Sequence, residues 1–226
     1  MLQTVPQIGK FRIIHQEKKR YTFEDYSSQI GNADAALGIW VHKGVINEKL
    51  FEAHPNLKYI AMLGHGFEDF DVEMTRRRGV TITNTIYGDV TIAQYAMALL
   101  MNICHNVTVQ SDYTKTGYWK EKETNPQASY NQLFVPQIEL YQKTMGIIID
   151  EEALLEALES RKVYMAGLDV VANEPPQYQI PLMQSPYTFI TSHIAWQPKA
   201  ARLRAVDLAV KNFRSYLEGM PTSVIN

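Results

Sequence analysis

The sequence predicts an α/β protein built on a doubly wound parallel sheet, and three observations carry the prediction. Short apolar runs alternate with helical stretches along the first part of the chain, the signature of parallel βα units. Hydrophobic residues make up 46% and charged residues 20%, which suits a soluble globular protein with a real core. At 226 residues the chain has room for one large or two small domains.

The elements follow in order. "FRIIHQ" (11–16) reads as a first strand, "ADAALGIWVHKG" (33–44) carries a second and "NLKYIAMLGHG" (56–66) a third. "GVTITNT" (79–85), with its period-2 alternation, is a fourth. Between them "YSSQIGNA", "INEKLFEAHP" and "FEDFDVEMTRRRG" are helical, the first only weakly. "DVTIAQYAMALLMNICHNVTVQSDYTKTG" is one long helix, apolar on most faces, and such a helix is buried between domains or subunits. "YWKEKETNPQASYNQLFVPQIELYQKT" is polar, aromatic and irregular, an arm or long loop of the functional or interfacial kind. Then come a strand "TMGIII", a helix "EEALLEALESR", a strand "YMAGLDVV", a Pro-rich turn "NEPPQYQIP" and a strand "YTFITSHIAW". Asp150 can cap the helix, which is long enough for a right-handed crossover between "TMGIII" and "YMAGLDVV". The last helix, "PKAARLRAVDLAVKNFRSYLEG", has Pro198 at its start and Gly219 past its end.

Several function classes drop out. A net charge of −2 leaves no electrostatic footprint for nucleic acid. The one basic run, Arg76-Arg77-Arg78, ends a helix, where cations complement the negative end and Gly79 can cap. Cys104, the single cysteine, lies in an apolar helical run; it excludes an internal disulfide framework, fits a reducing cytoplasm and reads as a buried inert thiol. No apolar run approaches the roughly 20 residues needed to span a bilayer, and the N-terminus lacks a signal-peptide pattern. No metal-ligand cluster stands out. A flavin or phosphoacceptor protein is disfavoured, because "FRIIHQEKKRYTF" has neither a Ser/Thr/Gly phosphate cluster nor an acidic pair at the strand's end.

Four segments together, "LKYIAMLGHGFEDFDVEMTRRRGVTITNTIYGDVTIAQYAMALL", "ELYQKTMGII", "DEEALLEALESRKVYMAGLDVVANEPP" and "ITSHIAWQPKAARLRAVDLAVKNFRSYLEGMPTSVIN", resemble the D-isomer-specific 2-hydroxyacid dehydrogenases. The flavour is that of glycerate dehydrogenase and hydroxypyruvate reductase, and the likeness covers nearly the whole chain in the family's own order. It implies a flavodoxin-like substrate domain from residues 1–98 and 196–226. Residues 99–195 would be an interdomain helix, a dimerisation arm and a vestigial remnant of the Rossmann domain. In the family a strand like "TMGII" runs into G-x-G-x-x-G, where glycines let the backbone approach a pyrophosphate at a helix N-terminus. Here Ile149 abuts Asp150. The missing part is on the order of a hundred residues, several βα units of about 30 each. The nearest glycine pair, Gly64-His65-Gly66, has no third glycine and is followed by Glu68 and Asp69, which would repel a pyrophosphate.

Gly64-His65-Gly66 ends a strand, and such a turn exposes N–H groups that suit a small carboxylate, although a tight turn without ligand explains it equally from the residues alone. The resemblance makes it the substrate-carboxylate turn, with His65 unusual where the family carries a small or apolar residue. It also places a polar or basic residue at Lys43 facing the substrate; a solvated lysine is the plain alternative. His193 in "TSHIAW" and Glu174 in "NEPP" match the family's acid–base pair. There the imidazole gives or takes the hydroxyl proton and the carboxylate orients it. On the residues alone, His193 reads as a structural hydrogen-bonder. Asp169 matches the position that touches the nicotinamide amide; without the loop it is left to close a strand. The family's third catalytic residue, an arginine that polarises the substrate carbonyl, belongs to the missing segment, and Arg161 reads as a helix-terminal charge.

The expectation is therefore a substrate domain with little or no NAD(P)-dependent hydride transfer, no tightly bound cofactor, weak affinity for a small 2-hydroxy or 2-keto acid, and a homodimer or higher oligomer. Two alternatives stand beside it: a non-enzymatic dimeric scaffold derived from the family, and an intact dehydrogenase whose sequence as given lacks an insert. The purified chain's mass separates the last, since this sequence weighs 25.9 kDa.

Overall fold

Three parallel strands, β1 (Ala35–Ile39), β2 (Tyr59–Met62) and β3 (Thr81–Thr83), hydrogen-bond in that order in the computed structural model. The structure describes residues 10–14, 22–39, 44–67, 71–118, 135–146, 150–174, 176 and 178–226. The chain divides into two compact units, Met1–Asp89 with Gln197–Asn226, and Val90–Trp196.

In the first unit β2 is central, with Tyr59 opposite both Ala35 and Thr81. Its side chains alternate between two faces, as a strand requires. Ile60 and Met62 join Leu50, Phe51, Met74 and Ile82 in a core covered by helices α1 (Phe23–Ile30), α2 (Glu48–Ala53) and α3 (Val72–Arg77). Tyr59 and Ala61 face the other way, onto Ala209, Phe213 and Tyr216 of the long helix that begins at Lys199. The Tyr59 ring lies 4.6 Å from that of Tyr216 and 5.0 Å from that of Phe213. Helices on both faces of a parallel sheet make the predicted doubly wound fold. Each covering helix starts on a capping side chain. Thr22 and Asp25 form a reciprocal capping box, while Asn47 and Asp71 accept from the N–H groups of Leu50 and Met74 at 3.0 Å. The arginine run is neutralised locally: Arg78 Nε donates to Glu48 at 2.7 Å, and Arg76 pairs with Glu73.

"FRIIHQ" is corrected. Residues 10–14 lie in no strand, and 15 and 16 fall outside the described residues. Arg12 donates to the Gln29 carbonyl at the end of α1, and Phe11, Ile13 and Ile14 stay exposed. The segment is tied to a helix end rather than to the sheet.

In the second unit the predicted long helix is broken. Helix α4 (Asp89–His105) and helix α5 (Val107–Tyr113) meet at Asn106, which is buried and adopts a left-handed φ of 49°, and a single π turn (Thr114–Tyr118) follows. Asparagine tolerates that conformation better than most residues. Residues 135–138 occupy the break. Asn106 Nδ2 donates to the Pro136 carbonyl at 3.0 Å, and the Cys104 carbonyl, freed at the helix end, accepts from the Ile138 N–H at 2.9 Å. Cys104 is buried, as expected.

A second parallel pair, β4 (Ala166–Leu168) and β5 (Thr188–Ile190), completes this unit. Helices α6 (Glu151–Glu159) and α7 (Pro181–Gln184) cover one face, where Leu154, Leu158 and Leu182 are buried against Leu168 and Ile190. On the other face α4 comes so close to Gly167 that a Cβ there would lie 3.0 Å from Leu99 Cβ. Asp150 caps α6 as predicted, accepting from the Ala153 N–H at 2.8 Å. Of "TMGIII", residues 144–146 form no strand, and 147–149 fall outside the described residues. The approach turns on itself instead, with Gln142 at a φ of 57° and Lys143 N–H donating to the Leu140 carbonyl. The crossover expected between "TMGIII" and β4 therefore has no first strand among the described residues. The chain ends on helix α8 (Lys199–Leu217), begun by Pro198 and closed at Gly219 with a φ of 76°. No helix among the described residues is long and apolar enough to cross a membrane.

Candidate active site

β4 and β5 run parallel and end side by side, the place where open parallel sheets present functional loops. β4 delivers Asp169 and β5 delivers the turn Thr191–Ala195. The turn is wrapped around Asp169. Oδ1 accepts from the Thr191 hydroxyl at 2.5 Å and from the Ile194 N–H at 3.0 Å, and Oδ2 accepts from the Ala195 N–H at 2.9 Å. The Asp169 carbonyl accepts from the His193 N–H at 2.8 Å. Partial burial alone would raise the Asp169 pKa. The Thr191 hydroxyl, the two N–H donors and the His193 charge outweigh it, so the carboxyl titrates below its ordinary value. Expected only to close a strand, Asp169 organises the loop that carries His193.

Held this way, His193 takes a left-handed φ of 55°. Its Nδ1 lies 2.5 Å from Glu174 Oε2, with the imidazole 54% and the carboxylate 32% exposed. An ionised carboxylate only accepts, so the proton between them sits on Nδ1, and Nε2 is left to exchange a proton with a ligand. Glu174 is oriented in turn: its Oε1 accepts from the Val171 N–H at 2.9 Å. One residue on, the Ala172 N–H donates to Glu151 Oε1 at 2.5 Å. Such an arrangement suits an imidazole to exchange a proton at Nε2.

Gly64, His65 and Gly66 follow β2 in the first unit. Their carbonyl side is anchored. Gly64 O accepts from the Thr85 N–H at 3.0 Å and His65 O from Asn84 Nδ2 at 2.8 Å, while the Asn84 carbonyl accepts from Asn212 Nδ2 at 2.9 Å. A Cβ on Gly64 would meet nothing within 4 Å, so packing does not demand glycine there and the backbone can be approached. His65 is exposed. Lys43 lies outside the described residues.

The structure thus brings His193, Glu174 and Asp169 together and places the glycine turn in the other unit. Thr191, Glu151 and Asn84 escaped sequence reasoning. Thr191 stands two residues before His193, the one available hint; the others act across 19 or more residues.

The profile of "D-isomer specific 2-hydroxyacid dehydrogenase, catalytic domain" matches residues 7–226. The hydroxypyruvate reductase of Blautia hydrogenotrophica is 26% identical over 302 residues, covering 95% of this chain and 91% of that protein. Those 302 positions exceed the 226 residues of this chain by 76. The glycerate dehydrogenase of Methylorubrum extorquens is 38% identical over 82 residues, 35% of this chain and 26% of that protein. Among solved structures, an acyclic imino acid reductase in complex with NADPH and D-Arg superposes with a TM-score of 0.72 at 15% identity, covering 100% of this chain and 95% of that one. An NADPH-dependent glyoxylate/hydroxypyruvate reductase from Sinorhizobium meliloti, in complex with citrate, gives 0.62 at 19% identity, covering 84% of this chain and 83% of that one.

Proposed function

The chain belongs to the D-isomer-specific 2-hydroxyacid dehydrogenase family, and from that premise we propose that it is a pared-down member: a binder of small 2-hydroxy or 2-keto acids with its acid–base pair intact and its hydride chemistry lost. The His193–Glu174 hydrogen bond carries the reading, because that geometry serves proton exchange with a hydroxyl or carbonyl oxygen. The 76-position surplus in the alignment with the hydroxypyruvate reductase supports a missing internal segment, which the family resemblance puts between Ile149 and Asp150.

The family implies a nicotinamide dinucleotide, and the described residues that follow the junction do not fit one. Such a cofactor needs a helix N-terminus whose N–H groups are free for a pyrophosphate. Helix α6, the first after the junction, begins instead on the Asp150 carboxylate, already bonded to the Ala153 N–H, with Glu151 and Glu152 beside it. The dipole that would bind phosphate is met by the protein's own anions. No step is therefore derived through the cofactor. The substrate part stands by itself: the Gly64-His65-Gly66 turn is assigned to a carboxylate, and His193 gives or takes a proton at Nε2 while Glu174 holds Nδ1–H.

Calorimetry of the purified chain tests this. Saturable heat with hydroxypyruvate or D-glycerate and none with NADH is the expected result. Saturable NADH binding, or steady turnover of hydroxypyruvate or glyoxylate with NADH or NADPH above a no-enzyme control, would overturn it.

A second reading, self-association as a homodimer, is favoured by helix α4, on which Val90, Ile92 and Met97 are each more than half exposed. Light scattering at micromolar concentration is expected to give at least twice 25.9 kDa. A clean monomer removes this reading.

A further inference from the structure

We propose that Glu151 is a positioning residue for the acid–base pair: by accepting from the Ala172 N–H it fixes the Val171–Glu174 loop in the form that sets Glu174 against His193. The inference rests on reading His193–Glu174 as that pair. Two successive N–H groups of the loop are taken by two different carboxylates. Val171 donates to Glu174 Oε1 and Ala172 to Glu151 Oε1, which leaves Glu174 Oε2 for His193. Among the described residues, 170–174 are tied to the rest of the unit by hydrogen bonds only at Glu151 and His193. The loop is otherwise open to water: Val170 is 54% exposed, and residues 172–174 are exposed. A segment with so few buried contacts opens readily unless something holds it.

Glu151 has the rigidity to do so. It occupies the first turn of α6, which is fixed at its start by the Asp150 cap and along its length by buried Leu154 and Leu158. The tie spans 21 residues, so it closes a loop around β4 and transmits the helix's position to Glu174. The role needs an acceptor and not a charge. Glutamine at 151 would keep it, and alanine would not.

The test reads the His193 ring directly and needs no activity. Long-range proton–nitrogen spectra of the uniformly labelled full chain are recorded at a pH where imidazoles are neutral, about 8 or above, with H193N identifying the His193 signals. Wild type is expected to show the Nδ1–H form, with a proton shifted far downfield by Glu174. E151A should move His193 toward the Nε2–H form typical of a free imidazole, and E151Q should retain the wild-type pattern. E151L, which keeps a helix-forming side chain without an acceptor, repeats the test should E151A prove unfolded. The proposal is overturned by an E151A or E151L spectrum that matches wild type, and equally by loss of the pattern in folded E151Q. E174A separates the underlying reading. If it leaves the His193 pattern unchanged, the pair itself has been misread, whatever Glu151 does.

Discussion

Asp169 Oδ1 and Thr191 Oγ1 lie 2.5 Å apart, a bond between the ends of two neighbouring parallel strands that decides where His193 stands. With the Ile194 and Ala195 N–H groups on the same carboxylate, three donors depend on one side chain. Replacing it by Asn puts an amide donor where at least one N–H or O–H needs an acceptor. D169N is expected to cost about 1–3 kcal/mol by urea denaturation, the range for donors stranded by a lost partner.

The same carboxyl sets an acid limit. Its folded pKa is lowered, so its stabilising contribution is complete above the unfolded value of about 3.9 and fades as pH falls through the folded one. Stability measured from pH 6 downward should fall below about pH 4 in wild type. The difference between wild type and D169N should shrink over the same range; a difference independent of pH would mean that the carboxylate charge plays no part.

Nε2 of His193 is the atom that the proposed acid ligand would meet. H193A removes it, and a lost hydrogen bond of about 1–1.5 kcal/mol corresponds to a roughly tenfold weaker affinity for hydroxypyruvate by calorimetry. E174A, which frees the ring to reorient, is expected to weaken binding less. Equal affinity in H193A and wild type would take His193 out of the binding site.

Much of the frame was legible because it is written locally. β2 announces itself as a continuous apolar run between turn residues, and Asp150 announces α6 as an acid before a helical pattern. The break at Asn106 was not legible, since helical periodicity passes through it unbroken; what stabilises the break is the carbonyl of Pro136, 30 residues away. "FRIIHQ" failed for the converse reason. Apolar composition makes a strand only where a neighbouring edge accepts it. The His193–Glu174 pair was visible through resemblance alone, because 19 residues and an irregular loop separate its members. Its supports, Glu151 and Thr191, belong to ordinary helix-start and strand-end sequence and carry no local mark.

Gly167 marks where α4 meets the β4–β5 pair. Alanine there would place a methyl 3.0 Å from Leu99 Cβ and 3.2 Å from Ile103 Cδ1, and the first of these atoms cannot move without the helix. G167A is expected to lose about 1–3 kcal/mol, the usual cost of overpacking, seen as a lower thermal midpoint. No loss would mean that α4 shifts freely against the sheet.

Tyr59 provides the alkaline counterpart to Asp169. Its ring is fully buried between the sheet and α8, and its hydroxyl lies 2.7 Å from Thr83 Oγ1. Burial disfavours the phenolate and pushes its pKa up to about 12, although the Thr83 hydrogen bond works the other way. A group raised in the folded state contributes stability that is whole below its unfolded pKa, about 10, and lost as pH climbs through the folded value. Wild-type stability should therefore decline from about pH 10 upward as the unfolded chain gives up a proton that the folded chain keeps. Y59F has no proton to lose. It should be less stable at pH 7 by about 1–2 kcal/mol, because the Thr83 hydroxyl is left without its partner, and its decline above pH 10 should be shallower. The comparison is made by urea denaturation at pH 7, 9, 10 and 11. Parallel declines in the two proteins would show that the Tyr59 phenol ionises as easily in the folded sheet as in the open chain, and that α8 does not seal that face of β2.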